Sequence, residues 1–205
     1  MEIKVLSLSY IHSNCYLIST EKAAIVIDPG FQNDEVTDFL KNSKNKERLI
    51  LLTHAHFDHI GGAYDLSKST DTKIAIGTYD NYALSDGNIN LSNRFHAKFP
   101  PFSADILLND GDKLTVGDIT VKVIYTPGHT SGGVCYLIGD RLFSGDTLFY
   151  RSIGRTDFYG GDYDAIINSI KNLFKILPED TVVYPGHGEK TTIAEEKENN
   201  IYIRG

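Results

Sequence analysis

The stretch that decides the fold is Thr53-His54-Ala55-His56-Phe57-Asp58-His59-Ile60-Gly61-Gly62. It places three histidines and an aspartate within six positions, in a chain of 205 residues with seven histidines in all. Packing imidazoles and a carboxylate this closely has no stabilising purpose without a metal ion or a proton to share. The preceding Leu49-Ile50-Leu51-Leu52 is a continuous apolar run, as expected of a strand buried on both faces. His54 and His56, two apart on extended chain, point to the same side and can grip one ion. Asp58 and His59 follow after the chain turns, so they can face a second.

Three further loops carry the other candidates. His129 lies in Thr126-Pro127-Gly128-His129-Thr130, Asp146 in Phe143-Ser144-Gly145-Asp146-Thr147, and His187 in Tyr184-Pro185-Gly186-His187-Gly188. Each follows an expected strand, and a glycine before each candidate lets the backbone turn sharply and come close to a ligand. Neutral imidazole and carboxylate suit Zn²⁺, and Fe and Mn accept the same donors. The single carboxylate of Asp146 can bridge two ions. Two ions ~3.5–4 Å apart share a water, lower its pKa and polarise a carbonyl. Taken singly, His187 reads as a surface histidine and Asp146 as a turn former. Their joint occurrence with the cluster carries the metal reading. His12 and His96 lack such a context: His96 reads as a loop residue, and His12 as a candidate for supporting a ligand or touching substrate.

Around these loops, residues 2–8, 15–19 and 23–27 suggest an antiparallel meander, stopped by Asp28-Pro29-Gly30. Helices are expected at 33–43, 60–68 and 163–176. The last carries an apolar stripe of Ile166, Ile167, Ile170, Leu173, Phe174 and Leu177, and Pro178 ends it. Strands fit at 73–76, 119–125, 134–138, 142–144 and 181–184. Residues 86–113, with Pro100-Pro101 and several Asn, read as a long surface connection. Each half thus has strands, a helix and a buried strand whose end delivers histidine, the usual place for a site in α/β proteins.

The composition, 41% hydrophobic and 23% charged, supports one domain over residues 1–205. A net charge of −7 argues against a nucleic-acid partner, which wants a basic face. The basic run Lys41 to Arg48 reads as the solvated end of a helix and its loop. Cys15 and Cys135 sit in apolar, strand-like contexts with no CxxC spacing, so buried reduced thiols are expected. With no signal-peptide pattern and no long apolar window, a cytoplasmic protein without a membrane partner is the expectation.

These loops, with Asp28-Pro29-Gly30 and Ser144-Gly145-Asp146-Thr147-Leu148-Phe149, resemble the metallo-β-lactamase superfamily over nearly the whole chain. The resemblance implies an α/β fold, a four-layer αββα sandwich with its site along the edge between the sheets. It also implies two metal sites: His54, His56, His129 and Asp146 for one, Asp58, His59, Asp146 and His187 for the other. Within the superfamily the chain is similar to the glyoxalase II branch, supported by the following Ile153-Gly154-Arg155-Thr156-Asp157-Phe158. That likeness implies a thioesterase in which a hydroxide bridging two ions, zinc foremost, attacks the carbonyl of a small-molecule thioester. Asp58 would hold the second ion and orient the hydroxide as the catalytic residue. Arg155 stands where that family has a basic residue near the thiol substrate, and Tyr150, Arg151 and Phe158 could help line the pocket. Arg155 reads equally well as one half of an ion pair with a nearby acid. The chain departs from long glyoxalase II proteins in ending soon after His187, in a polar tail without the C-terminal helical domain that holds glutathione. Two rival readings accompany this one. Persulfide dioxygenases share the fold and the Gly-Arg-Thr-Asp-Phe loop, binding one iron through residues matching His54, His129 and Asp146. A non-catalytic metal-binding domain would not need both Asp58 and His59.

Overall fold

The computed structural model describes residues 1–8 and 11–203. The first sheet runs in spatial order β1 (Glu2–Leu8), β2 (Ser13–Ser19), β3 (Ala23–Ile27), β4 (Glu47–Leu52), β5 (Ile74–Gly77) and β6 (Ile106–Leu108). The first three strands form the expected antiparallel meander, and β3 to β6 are mutually parallel. Between them lie α1 (Asp34–Lys41), α2 (Phe57–Ile60), α3 (Ala63–Thr70), a 3₁₀ segment Thr78–Ser85 and the short α4 (Ser92–Phe95). The second sheet contains β7 (Lys113–Val116), β8 (Ile119–Tyr125), β9 (Val134–Ile138) and β10 (Arg141–Gly145). A small hairpin of β11 (Leu148–Phe149) and β12 (Ser152–Ile153) precedes α5 (Tyr163–Ile176), β13 (Val182–Pro185), β14 (Thr191–Thr192) and α6 (Ile193–Asn199). The second sheet is ordered β14-β13-β10-β9-β8-β7.

Side-chain alternation builds four layers from these strands. On β3 and β4, Ala24, Val26, Ile50 and Leu52 turn outward to meet Val36 and Leu40 of α1 and Ala63 and Leu66 of α3. Their neighbours Ile25, Ile27, Leu49 and Leu51 turn inward, where they meet Val121, Val123, Tyr136 and Phe143 of the second sheet. The far face of that sheet, with Leu142 and Val183, packs on Ile166, Ile170 and Leu173 of α5. Continuous apolar runs are therefore needed on β3 and β4, because both faces are covered. Each fully buried Ile or Leu contributes about 1.5–3 kcal/mol through burial. Cys15 and Cys135 are buried and free, and they belong to the two opposite helix-facing cores.

Direction matters more than layering for the site. β9 pairs antiparallel with both β8 and β10, and β10 pairs parallel with β13. Strands β8, β10 and β13 therefore point the same way and deliver their C-terminal loops to one edge. The loop after β4 meets them there, and Tyr136 Oη, from the second sheet, donates to Leu52 O at 2.6 Å to fix the two sheets at that edge.

Two expectations are corrected. The helix expected at 60–68 is two helices, α2 and α3, with Gly61 and Gly62 between them; a Cβ on Gly62 would lie 2.5 Å from Phe31 O. Residues 86–113 are not merely a surface connection. They contain α4 and β6, and Asn90, Leu91, Ser92, Phe102 and Leu108 are buried. β6 is three residues long and exists because it completes the parallel ladder on β5, a tertiary pairing that leaves no periodicity in the sequence. Among the described residues, no helix is long and apolar enough to cross a membrane.

Candidate metal centre

All seven expected residues converge at this edge. Three interlocking groups have ligand atoms within 4.8 Å of one another: His54, His56 and His129; His54, His59 and Asp146; and Asp58, His59 and His187. His54 and His59 belong to two groups each. Asp146 faces three imidazoles, with Oδ1 3.4 Å from His59 Nε2 and Oδ2 3.5 Å and 3.6 Å from His129 and His187 Nε2. Asp58 Oδ2 lies 3.1 Å from His187 Nε2 and 3.4 Å from His59 Nε2.

The hydrogen bonds behind the imidazoles set which nitrogen faces inward. Asp28, buried at the end of β3, accepts from Thr53 N (2.8 Å), Thr53 Oγ1 (2.7 Å) and His59 Nδ1 (3.0 Å). Because the Thr53 hydroxyl donates to Asp28, His54 Nδ1 donates to Thr53 Oγ1 at 3.1 Å. His129 Nδ1 donates to Arg155 O at 2.7 Å, and His187 Nδ1 to Ile11 O at 3.2 Å. Four imidazoles are thus anchored through Nδ1 and turn Nε2 towards the centre, the arrangement ligating histidines adopt. His56 is reversed: its Nδ1 lies 2.8 Å from His129 Nε2.

Whether this donor set fits a metal can be tested on the buried atoms. His54 Nε2, His56 Nε2, His59 Nε2 and Asp146 Oδ1 are buried without a hydrogen-bond partner. Leaving buried polar atoms unpaired costs about 1–3 kcal/mol each. Three of the four face the converging groups, and a divalent cation satisfies them together. The residues fit such an ion, and the absence of thiolate matches an open site better than a closed structural one.

The electrostatics divide the cluster. Burial, reinforced by the neighbouring histidines, holds His54 well below the usual imidazole range. Burial with His129 beside it brings His56 to about 3. At His59 burial opposes charge, but Asp58 and Asp146 outweigh it and hold the imidazole well above its ordinary value. His187 is raised too, its burial overcome by the Asp58 hydrogen bond and by Asp146. Burial would lift both carboxylates, yet His59 overcomes it, taking Asp146 down to about 2 and holding Asp58 well below its usual range. One flank therefore holds neutral imidazoles and the other a cation among carboxylates. A cation held at the second flank would displace those protons.

The expected substrate residues divide. The Phe158 ring meets His56 edge-on at 5.8 Å and so borders the cluster. Arg155 stacks on Phe158 at 4.0 Å while its guanidinium is held by both oxygens of Asp157 at 2.6 Å and 2.7 Å. The ion-pair reading of Arg155 is thus realised, and its carbonyl orients His129. Tyr150 is exposed under the Arg151 guanidinium, which Glu195 of α6 holds at 2.8 Å. Its neighbour Phe149, rather than Tyr150, approaches the His187 ring, at 6.2 Å. His12 is exposed and paired with Ser7, and His96 is exposed; neither joins the groups.

Two supporting carboxylates were not legible in the sequence. In the sequence Asp28 marks a strand stop and one of the stretches that carry the family resemblance, but nothing there names its partners. Asp80, buried in the 3₁₀ segment, accepts from Ala55 N (3.1 Å), Thr130 Oγ1 (2.8 Å) and the Gly132 amide, tying the His54–His56 loop to the His129 loop. No local spacing marks Asp80; its partners lie 25 and 50 residues away.

Comparison with known proteins agrees with the geometry. The profile of the metallo-beta-lactamase superfamily matches residues 10–187. The hydroxyacylglutathione hydrolase GloC of Haemophilus influenzae is 31% identical over 99% of this chain and 98% of its own. Among solved structures, the BLEG-1 B3 metallo-beta-lactamase superposes with a TM-score of 0.91 at 38% identity, over the whole of both chains. TTHA1623 in a di-iron-bound form superposes with a TM-score of 0.83 at 32% identity, over 97% of this chain and 99% of its own. The αββα fold, the converging histidines and these likenesses lead to one conclusion: the chain belongs to the metallo-beta-lactamase superfamily of metal-dependent hydrolases.

Proposed function

We propose that the chain is a thioesterase of the glyoxalase II kind, acting on a small-molecule thioester through two divalent cations, zinc foremost. The observation that carries the two-cation reading is the interlocking of the donor groups through His54, His59 and Asp146. The likeness to GloC over nearly both full lengths supports the thioester. His54, His56 and His129, with Asp146, would hold one cation, and Asp58, His59 and His187, with Asp146 between the two, the other. When bound, such a pair supplies a water of lowered pKa and polarises the carbonyl under attack. Asp58 stays ionised and accepts hydrogen bonds, so it orients the attacking water and takes the catalytic role. Asp28, Thr53 and the Arg155 carbonyl keep the imidazoles in the tautomer that points lone pairs inward. Phe158 walls the His56 side and limits water there. Thiolate is a good leaving group, so no acid need be placed beside it.

The likeness to BLEG-1 favours a β-lactam as the second reading. The deciding experiment loads the protein with zinc, manganese or iron without oxygen, counts ions per chain, and follows thiol release from S-D-lactoylglutathione and ring opening of a chromogenic cephalosporin. About two ions per chain and faster thioester cleavage are expected. Cephalosporin opening without thiol release would overturn the thioester. One iron per chain with oxygen consumed on a persulfide would overturn hydrolysis altogether.

A further inference from the structure

The segment after the 3₁₀ turn does something the metal centre does not require. α4 is only four residues long, yet it is flanked by left-handed Leu91 (φ +67°) and His96 (φ +56°). A left-handed conformation is costly for a bulky residue such as Leu91, which is also buried, and it persists only where the surroundings impose it. The surroundings here are the histidine loop itself. Phe57 N donates to Asn90 O at 2.9 Å, and the Phe95 ring stacks on Phe57 at 4.7 Å with 16° between planes. Asn90 also accepts from Ser92 N and donates to Ala83 O, both at 3.0 Å or less. The strained turn is bolted to the residue between His56 and Asp58.

The turn projects Arg94. Its guanidinium lies 5.3 Å from the Phe158 ring centroid, and that same ring meets His56 edge-on. Phe158 thus carries two arginines. Arg155 is neutralised by both oxygens of Asp157, whereas Arg94 makes no salt bridge among the described residues and is exposed. In a chain of net charge −7, Arg94, near enough to Asp157 to help lower that carboxyl but in no salt bridge with it, stands a single aromatic ring from the histidine cluster.

We propose that Arg94 is a specificity residue that recognises a carboxylate on the thiol carrier of the substrate. This rests on the thioesterase reading and adds that the carrier is anionic. A planar guanidinium pairs bidentately with carboxylate, and at 5.3 Å from the Phe158 centroid, exposed and in no salt bridge among the described residues, Arg94 is available to do so. Phe158 offers the carrier an apolar wall between that edge and the cluster.

The test uses two thioesters with the same acyl group, S-D-lactoylglutathione with its carboxylates and S-D-lactoyl-N-acetylcysteamine with none. The readout is the ratio of kcat/KM for the first over the second, in zinc-loaded wild type, Arg94→Gln and Arg94→Lys. Arg94→Gln is expected to lower that ratio about two- to fivefold, as for an exposed charge pair, mainly through KM. Arg94→Lys, which keeps the charge but not the planar fork, should recover only part of it. General damage to the loop lowers both substrates together and leaves the ratio unchanged, which overturns the proposal. A ratio near unity in the wild type also overturns it while leaving the thioesterase reading intact. Cleavage of neither thioester by the wild type sinks the thioesterase reading itself.

Discussion

Gly186→Ala should empty the proposed centre although glycine donates nothing to it. A Cβ at this position would lie 2.1 Å from Asp146 Oδ1 and 2.8 Å from His59 Cε1. An uncrowded carbon–oxygen contact needs roughly 3.3 Å, so something must move by about 1 Å. The Gly186 backbone cannot retreat easily, because its N–H donates to Gly145 O and its carbonyl accepts from Asn14 N, both at 2.7 Å. The neighbouring Pro185 carbonyl is held as well, by Asn14 Nδ2 at 3.0 Å. The carboxylate of Asp146 is the part that gives. Metal–ligand distances tolerate only about 0.2 Å, so a ~1 Å shift of the shared carboxylate should weaken ion binding by about a hundredfold or more, roughly 2.7 kcal/mol. The overpacking itself costs about 1–3 kcal/mol of fold stability, which a domain of this size withstands. The assay is equilibrium dialysis against buffered free zinc, followed by elemental analysis per chain, with circular dichroism to establish folding. A folded Gly186→Ala protein holding as much zinc as wild type, at the same free concentration, would refute the placement of Asp146 as the shared ligand.

Other outcomes follow from the same geometry. Asp28→Asn places an amide donor against the Thr53 hydroxyl or His59 Nδ1, and zinc affinity, read by competition with a chromogenic chelator, should fall about ten- to a hundredfold; an unchanged dissociation constant would remove Asp28 from its supporting role. His54→Ala or Asp146→Ala should abolish metal loading and hydrolysis together, and full activity in either would sink the site assignment. His96→Ala should leave metal content unchanged, since His96 is exposed and outside the donor groups. Acid should destabilise the metal-free protein between the ordinary imidazole pKa, about 6.5, and about 3. In that window the unfolded chain protonates His54 and His56 while the folded chain does not, so each removes about 1.4 kcal/mol per pH unit as pH falls. His59 and His187 are raised, so their contribution is fully present below about 6.5 and is lost only as pH rises through their folded values. Denaturant midpoints that hold constant from pH 6.5 to pH 4 would contradict this.

The parts of the fold that could be read from sequence were those whose cause is local. The apolar run of β4 and the stripe of α5 state their burial directly, and the density of histidine after Leu52 has no cheap structural alternative. Gly before His129, Asp146 and His187 marked the sharp turns. What could not be read depended on distant partners. β6 is a strand only because β5 lies beside it, and α4 owes its strained ends to Phe57. Asp80 and Asp28 act by bridging loops far apart in sequence, so neither spacing nor residue type distinguished them from ordinary turn acids. Arg155 was ambiguous for the opposite reason: its partner, Asp157, was adjacent, but a single arginine gives no sign of which claim on it wins.

The seven proposed donors divide unevenly between the sheets, four from the loop after β4 and three from the loops after β8, β10 and β13. Neither half of the chain owns a complete set. A nascent chain must therefore finish β13 and dock it beside β10 before His187 can join the others. On the proposed assignment, capture of the second ion would then wait on that docking. Misassembly of the loop after β4 or β10 would cost both ions, whereas misassembly after β13 alone would cost the second ion and leave the donors of the first in place.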